Sequence, residues 1–364
     1  MTRLLPLSLS LWMLLSLDGC VSSPGERAAL DERVGDASTD GARLVVHDGH
    51  AAIRGLSPGS VTLWSSTPTW RATLQLEDEA TWTITVDNAL PDATLRAITT
   101  AGEPMVAELD GERVTQRVFT MDLPAGNTTL QLETTDQRDR SVFRIALLSD
   151  IQDAVDEVQD LFDAIEAEPD VRFLLGAGDL AQNGSRDELL RIQRELQRFD
   201  LPYYTTLGNH DIRDTGAWQD LYGRGNTSFV FRDVRFTLLD SAAATIEPKV
   251  YEWLDGWLLE GAGATHVVGM HIPPLDPIGV RNGGFGSRHE AGKLVTKLAK
   301  GGVDLTVYGH IHSYYRFDNA AIPAVISGGG GAIPERLDGI GRHFAVIDLG
   351  ADAGFVGVRT VEVD

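Results

Sequence analysis

Phe143-Arg144-Ile145-Ala146-Leu147-Leu148-Ser149-Asp150-Ile151-Gln152 joins a short apolar run to a polar bend. A run of this length without alternation reads as a strand buried on both faces, the habit of a sheet covered by helices. A helix pattern follows, with Val155, Val158, Leu161, Phe162 and Ile165 on one face. Val171 to Leu175 is a second apolar run. Ser185 and Glu188 then form a capping-box pattern ahead of a helix carrying Leu189, Ile192, Leu196 and Phe199. Leu201 to Leu207 is again strand-like, and Ser287 with Glu290 repeats the capping box before Leu294, Val295 and Leu298. This alternation predicts a layered α/β domain over residues 139–364, with central mixed sheets flanked by helices. Ala324 to Ile326, Phe344 to Ile347 and Val356 to Val363 are expected to close it as mixed or antiparallel strands.

Upstream the period changes to two. Thr81-Trp82-Thr83-Ile84-Thr85-Val86 alternates polar and apolar, and similar runs occur at 61–64, 72–76, 95–99, 114–121 and 129–133. Turn signals such as Ser57-Pro58-Gly59 and Asp110-Gly111 separate them, so residues 42–138 are expected to form a small all-β, sandwich-like domain. His47 and His50 lie at its edge with no carboxylate or cysteine pattern and read as surface histidines. Residues 21–41, rich in Ser, Gly, Asp, Glu and Arg, read as a flexible tether.

The chain has 364 residues, enough for two domains and a large core, with 43% apolar and 23% charged residues. A net charge of −22 argues against binding to a nucleic acid backbone, which needs a positive field. A small anionic substrate stays possible where metal ions invert the local field. The one cysteine, Cys20, allows no intramolecular disulfide. It ends a leader in which Arg3 precedes the apolar run Leu4 to Leu17, too short for a comfortable membrane span. Leu17-Asp18-Gly19-Cys20 resembles the bacterial lipoprotein signal, with Asp18 where a small residue is usual. The resemblance implies that residues 1–20 are a signal peptide, and that the protein is exported and held to the cell envelope, at the outer membrane or facing the periplasm, by a lipid on Cys20. A plain secretory signal or an uncleaved anchor is the alternative.

Five apolar runs of the α/β segment end in metal-ligand residue types. These ends are Asp150-Ile151-Gln152, Gly178-Asp179, Gly208-Asn209-His210-Asp211, His271 and Gly309-His310-Ile311-His312. Ligands bind beyond the carboxyl ends of strands in open α/β sheets, so all five are expected to meet on one sheet edge. Carboxylate, amide and imidazole donors suit a dinuclear site, where one carboxylate can bridge two ions.

Taken in order, Asp-x-Gln, Gly-Asp, Gly-Asn-His-Asp, a lone His and Gly-His-x-His resemble the calcineurin-like metallophosphoesterase superfamily across roughly residues 143–350. The resemblance implies that Asp150, Gln152 and His312 hold one ion, that Asn209, His271 and His310 hold a second, and that Asp179 bridges them. It implies that His210 contacts the substrate phosphate and protonates the leaving oxygen while a hydroxide between the ions attacks phosphorus in line. Asp211 is expected to orient and charge His210. Gln152 stands where the commonest family pattern has histidine. Its neutral oxygen leans toward manganese or iron over zinc. The implied activity is hydrolysis of a small phosphoester, most simply a phosphodiester or nucleotide pyrophosphate. The alternatives are a phosphomonoesterase, or a non-catalytic surface lipoprotein binding a partner through its β domain.

Other features are weaker. The Gly-rich loop after Pro273-Pro274 offers Arg281 or Arg288 to a phosphate, against an ordinary solvent loop. Asn183 either lines the pocket or starts a helix. Gly328 to Gly331 lacks the lysine of a P-loop and reads as close packing near the metal edge. His266, His289 and His343 read as structural or surface residues.

Overall fold

The computed structural model describes residues 21–279 and 282–363. The leader, Cys20 and Arg281 therefore lie outside the described residues. No helix among the described residues is long and apolar enough to cross a membrane.

The chain opens with α1 (Pro24–Asp31) and β1 (Asp36–Thr39), so the tether expected over 21–41 is instead ordered structure. Ser23 accepts the Glu26 amide and Glu26 reaches back to the Ser23 amide, a complete capping box with Pro24 in the first turn. Arg27 and Asp240 form a buried pair at 2.6 Å. Asp31 accepts hydrogen bonds from Gln219 and from the Gly225 and Asn226 amides. These charged residues look like solvated linker in sequence because their partners are about 190 to 215 positions away.

The following strands are β2 (Ala42–Val46), β3 (Ala51–Ser57), β4 (Ser60–Ser65), β5 (Trp70–Leu76), β6 (Ala80–Asp87), β7 (Ala93–Ile98), β8 (Ala107–Leu109), β9 (Arg117–Leu123) and β10 (Gly126–Thr134). They build two five-stranded sheets, β1-β2-β5-β10-β7 and β3-β4-β6-β9-β8. Burial alternates along β5 and β6, as the period of two requires. Leu44, Leu74 and Leu130 of one sheet and Leu63, Ile84 and Phe119 of the other are buried in one cluster.

The α/β part runs β11 (Phe143–Leu148), α2 (Val158–Glu166), β12 (Val171–Gly176), α3 (Arg186–Leu196), β13 (Tyr203–Thr205), α4 (Ala217–Leu221), β14 (Thr227–Phe231), β15 (Val234–Leu239), α5 (Pro248–Glu260) and β16 (His266–Met270). It continues with α6 (Arg288–Lys300), β17 (Leu305–Tyr308), β18 (Tyr314–Asn319), β19 (Ile322–Ser327), β20 (His343–Gly350) and β21 (Gly354–Glu362). These strands make two mixed sheets, β13-β12-β11-β20-β21 and β14-β15-β16-β17-β19-β18. The expected single edge is therefore the shared edge of two facing sheets. Phe173 meets Phe236 at 5.5 Å and Phe143 meets Phe231 at 5.3 Å across the gap. The run from Phe143 is apolar throughout because Ile145 and Leu147 enter this inner core while Ala146 and Leu148 pack against α2 and α3. On the far side α5 and α6 cover Val268, Met270, Tyr308 and Ile326.

Ser185 completes its capping box with Glu188. Ser287 caps the Glu290 amide, but the Glu290 carboxylate turns away to Thr245 and the Ile246 amide, tying α6 to the start of α5. As expected, antiparallel strands close the first sheet: β20 runs antiparallel to β11, and β21 antiparallel to β20.

Candidate metal centre

Asp150 follows β11, Asp179 follows β12 and Asn209 follows β13, all in the first sheet. His271 follows β16, and His310 with His312 follow β17, all in the second. Ligand atoms of Asp150, Asp179 and His271 lie within 4.8 Å of one another. Gln152 Nε2 donates to Asp179 Oδ2 at 3.0 Å and lies 3.5 Å from His312 Nε2. Asn209 Oδ1 is 3.0 Å from His271 Nε2, and the His310 ring stands 5.2 Å from the His271 ring. All seven expected ligands are thus brought together.

The backbone is bent sharply to achieve this. Asp150, Gln152, Asp179 and His310 have φ of 63°, 49°, 56° and 70°, a region that costs a side-chain-bearing residue on the order of 1 kcal/mol or more. Interlocking hydrogen bonds hold the bends. The Asp150 amide donates to the Gly178 carbonyl and the Ile151 amide to the Asp179 carbonyl. The His310 amide donates to Asp150 Oδ2 at 3.0 Å, and the His210 amide to Asp179 Oδ1 at 2.8 Å. Two glycines permit the close approach: a Cβ at Gly208 would stand 2.1 Å from Asp179 Oδ1, and one at Gly309 would stand 2.7 Å from Asp150 Oδ2. The Gly328–Gly331 run packs as expected, Gly330 lying against the Ser149 carbonyl.

Three imidazoles share one device. His271 Nδ1 meets the Ala177 carbonyl at 2.7 Å, His312 Nδ1 the Ile333 carbonyl at 2.7 Å, and His210 Nδ1 the Gln182 carbonyl at 2.6 Å. A carbonyl only accepts, so Nδ1 carries the hydrogen and Nε2 is the ring atom turned toward the site. His271 Nε2 then faces Asn209 Oδ1 and, at 3.2 Å, Asp179 Oδ2. A lone pair facing two oxygens is reconciled only by a shared cation or a proton. Burial opposes a charge on His271, yet Asp179 and Asp150 push it up to about 9. Burial likewise works against Asp179, whose carboxyl His271 and His210 nonetheless hold well below the usual range. The donor set therefore fits metal ions. The Gln152 amide fits as well, since a half-turn about its last bond presents Oε1 in place of Nε2.

Asp211 does not touch the His210 ring. Its carboxylate accepts the Asp179, Ala181 and Gly208 amides at 2.8, 3.0 and 2.8 Å, with the Leu180 amide at 3.3 Å. Neighbours in sequence point apart here because the chain turns between them. Burial, with the charge of Asp179, pushes Asp211 up to about 7.

A cavity of about 740 Å³ opens at this edge, lined by Gln152, Gln182, His210, His312 and the 331–338 loop including Arg336. A larger groove of about 940 Å³ lies between α5 and α6 and contains no cluster of metal-ligand side chains; Arg288 lines it, away from the metal edge. Asn183 binds Glu188 at the start of α3. His266 is buried on Thr237, and burial together with Arg235 pushes it down to about 4. His343 is buried and His289 exposed, as expected of residues outside the site. His47 is exposed, whereas His50 is half-buried under the Ser228 carbonyl. Sequence reasoning missed Gln182, Arg336 and the Ile333 carbonyl. Their only signal was proximity to Asp179 and to the glycine run.

Residues 143–314 match the calcineurin-like phosphoesterase family model. The chain is 24% identical over 162 residues to a 3′,5′-cyclic-nucleotide phosphodiesterase of Nostoc sp., covering 42% of this chain and 59% of that relative's length. Among solved structures it is similar to a purple acid phosphatase from yellow lupin seeds, at 14% identity and a TM-score of 0.48 over 82% of this chain and 72% of that one. It is also similar to a dimetal phosphatase from Danio rerio, at 14% identity and a TM-score of 0.46 over 61% and 99%.

Proposed function

With residues 143–314 forming a calcineurin-like phosphoesterase domain, we propose that this protein hydrolyses phosphodiesters using two metal ions. Asp150, Gln152 and His312 would hold one ion, Asn209, His271 and His310 the other, and Asp179 would touch both. The observation that carries this is the convergence of Asp150, Asp179 and His271 ligand atoms within 4.8 Å, with imidazoles turned inward by backbone carbonyls. Ions bound there would supply Lewis acidity and a water-derived nucleophile at neutral pH. Gln152 leans the choice toward manganese or iron, because an amide oxygen is a harder donor than imidazole.

His210 keeps Nε2 free because its Nδ1 is tied to the Gln182 carbonyl. From the cavity wall, when Nε2 also carries a hydrogen, it would pass that proton to the leaving oxygen. Arg336, in the same wall, would face the charge of the phosphoryl or leaving group. A diester is favoured because the lining supplies one arginine beside aliphatic residues, whereas a monoester brings a second negative charge. The cyanobacterial relative is named a phosphodiesterase, which adds weight. Export, with a lipid on Cys20, belongs to the same proposal.

The test strips metal from the full-length protein and reloads manganese, iron or zinc. Metal content is then measured alongside hydrolysis of bis(p-nitrophenyl) phosphate and p-nitrophenyl phosphate. Turnover is expected only after loading and to favour the diester. His210→Ala should lower kcat by about 10²- to 10⁴-fold with metal content intact. Absence of turnover with every metal would falsify the proposal, and preference for the monoester would move it to a phosphomonoesterase.

A further inference from the structure

We propose that the mouth of this site opens onto a membrane surface and that its substrate is the phosphodiester headgroup of a membrane lipid, a deepening that rests on the phosphodiesterase reading above. Ser22 is buried, and both its amide and its Oγ donate to the Ile212 carbonyl, at 3.1 and 3.0 Å. Ile212 lies two positions beyond His210, on the loop that follows β13. Arg27 locks the segment from behind, donating to the Ser22 carbonyl while it pairs with Asp240. Val21 alone separates Ser22 from Cys20, and two residues span at most about 7 Å. Where a lipid on Cys20 or a retained leader holds the protein to a membrane, that attachment enters the chain within two residues of Ser22, beside the loop that carries His210.

The rim is apolar where such an attachment would bring it to a bilayer. Among the described residues the exposed large apolar side chains number twelve, and five of them, Val21, Leu275, Ile278, Ile333 and Leu337, sit on segments bordering the metal edge. Ile333 is 86% exposed and Leu337 81%, on the loop whose Ile333 carbonyl fixes His312. The loop bearing Leu275 and Ile278 reaches the other side, where a Cβ at Gly283 would lie 3.4 Å from the His310 ring. Exposed aliphatic side chains gain free energy by entering hydrocarbon, about 25 cal/mol per Å² of covered area.

The chemistry of the lining separates a lipid from a nucleotide. Ile333, Pro334 and Leu337 are aliphatic, and no Phe, Tyr or Trp lines the cavity among the described residues. A base is ordinarily held by stacking on an aromatic face, whereas a glyceride needs only aliphatic contact beside a cation such as Arg336. Hydrolysis consumes one water. Its oxygen joins phosphorus, the bond from phosphorus to one ester oxygen breaks, and that oxygen leaves as an alcohol carrying the proton from His210. One proton of the water restores His210, and the other passes to solvent as the phosphomonoester product ionises.

The metal-loaded full-length protein in vesicles of phosphatidylcholine and phosphatidylglycerol tests this. Phosphorus NMR follows loss of vesicle lipid, and bis(p-nitrophenyl) phosphate and a 3′,5′-cyclic nucleotide are assayed in parallel. Vesicle lipid is expected to be hydrolysed faster than the cyclic nucleotide. Leu337→Ser with Leu275→Ser and Ile278→Ser should lower the ratio of lipid to bis(p-nitrophenyl) phosphate turnover at least tenfold, with the melting temperature confirming the fold. Hydrolysis of the soluble diester with intact vesicle lipid, a faster cyclic nucleotide, or an unchanged ratio overturns the inference and leaves the phosphodiesterase reading standing. Failure on every substrate overturns both.

Discussion

Asp211 shows how a residue beside the chemistry can serve it without taking part. Its carboxylate collects four backbone amides from the bends after β12 and β13, which carry Asp179 and Asn209. Asp211→Ala leaves those donors buried and unmatched, at about 3 kcal/mol or more. We expect lower stability in urea and weaker metal retention, read by elemental analysis, with no shift in the pH profile of the remaining turnover. A displaced alkaline limb, the one set by a general acid, would instead return Asp211 to the role of partner to His210. The ligands themselves were legible because each is a hard or imidazole donor immediately after an apolar run, and strand ends are where sheets put their ligands. The direction of the Asp211 side chain was not, because at a tight bend adjacency in sequence carries no information about which way a neighbour faces.

Among the elements, α1 carries the clearest consequence of pinning a charged segment into the fold. Burial pushes Asp31 up to about 6, against the opposing hydrogen bonds of Gln219, Asn226 and Gly225. A carboxyl whose folded pKa is raised gives stability that is complete below its unfolded pKa near 3.8 and is lost as pH rises through about 6. Raising pH from 5 to 7 should therefore remove about 1 kcal/mol. Urea denaturation of Asp31→Asn is expected to lack that component, and equal pH dependence in both proteins would refute the assignment. The sequence held one sign of this helix, Ser23-Pro24-Gly25-Glu26, a capping box with proline in the first turn. No apolar run follows it, so hydrophobic periodicity gives no sign of the helix. The helix is held by the Arg27–Asp240 pair and the Asp31 hydrogen bonds, with Ala28 the apolar residue it buries fully. Strand existence was far more legible, since periods of two and unbroken apolar runs are local properties. Which of two sheets a strand joins is set by distant partners, so the division into facing sheets emerged only from the structure.

For the molecule as a whole, charge and core each set a condition. A chain of net −22 that gathers Asp150 and Asp179 at one edge repels phosphate unless cations intervene. Manganese loading should raise the melting temperature, by about 2.7 kcal/mol of added stability at a hundred times the dissociation constant. Inorganic phosphate should bind, by calorimetry, only to the loaded form. The core argues that the β sandwich is no detachable appendage. Its buried cluster continues into Ile145, Phe173, Phe229 and Val307 of the facing sheets. Asn88 exchanges hydrogen bonds with Tyr203 on β13, at 2.9 and 2.8 Å. Trp64 stands edge-on to Tyr222 at 5.9 Å, with the Arg54 guanidinium 4.0 Å over its ring. Arg172 of β12 reaches Asp92 and Asp136. A chain restricted to residues 139–364 would expose that apolar seam and deprive Tyr203 of Asn88 and Arg172 of both carboxylates. It is expected to lack a cooperative thermal transition and to bind a hydrophobic dye, whereas the chain from Val21 melts in one step. A sharp transition for the shorter chain, with its metal content intact, would show instead that the seam contributes little and that the two parts fold separately.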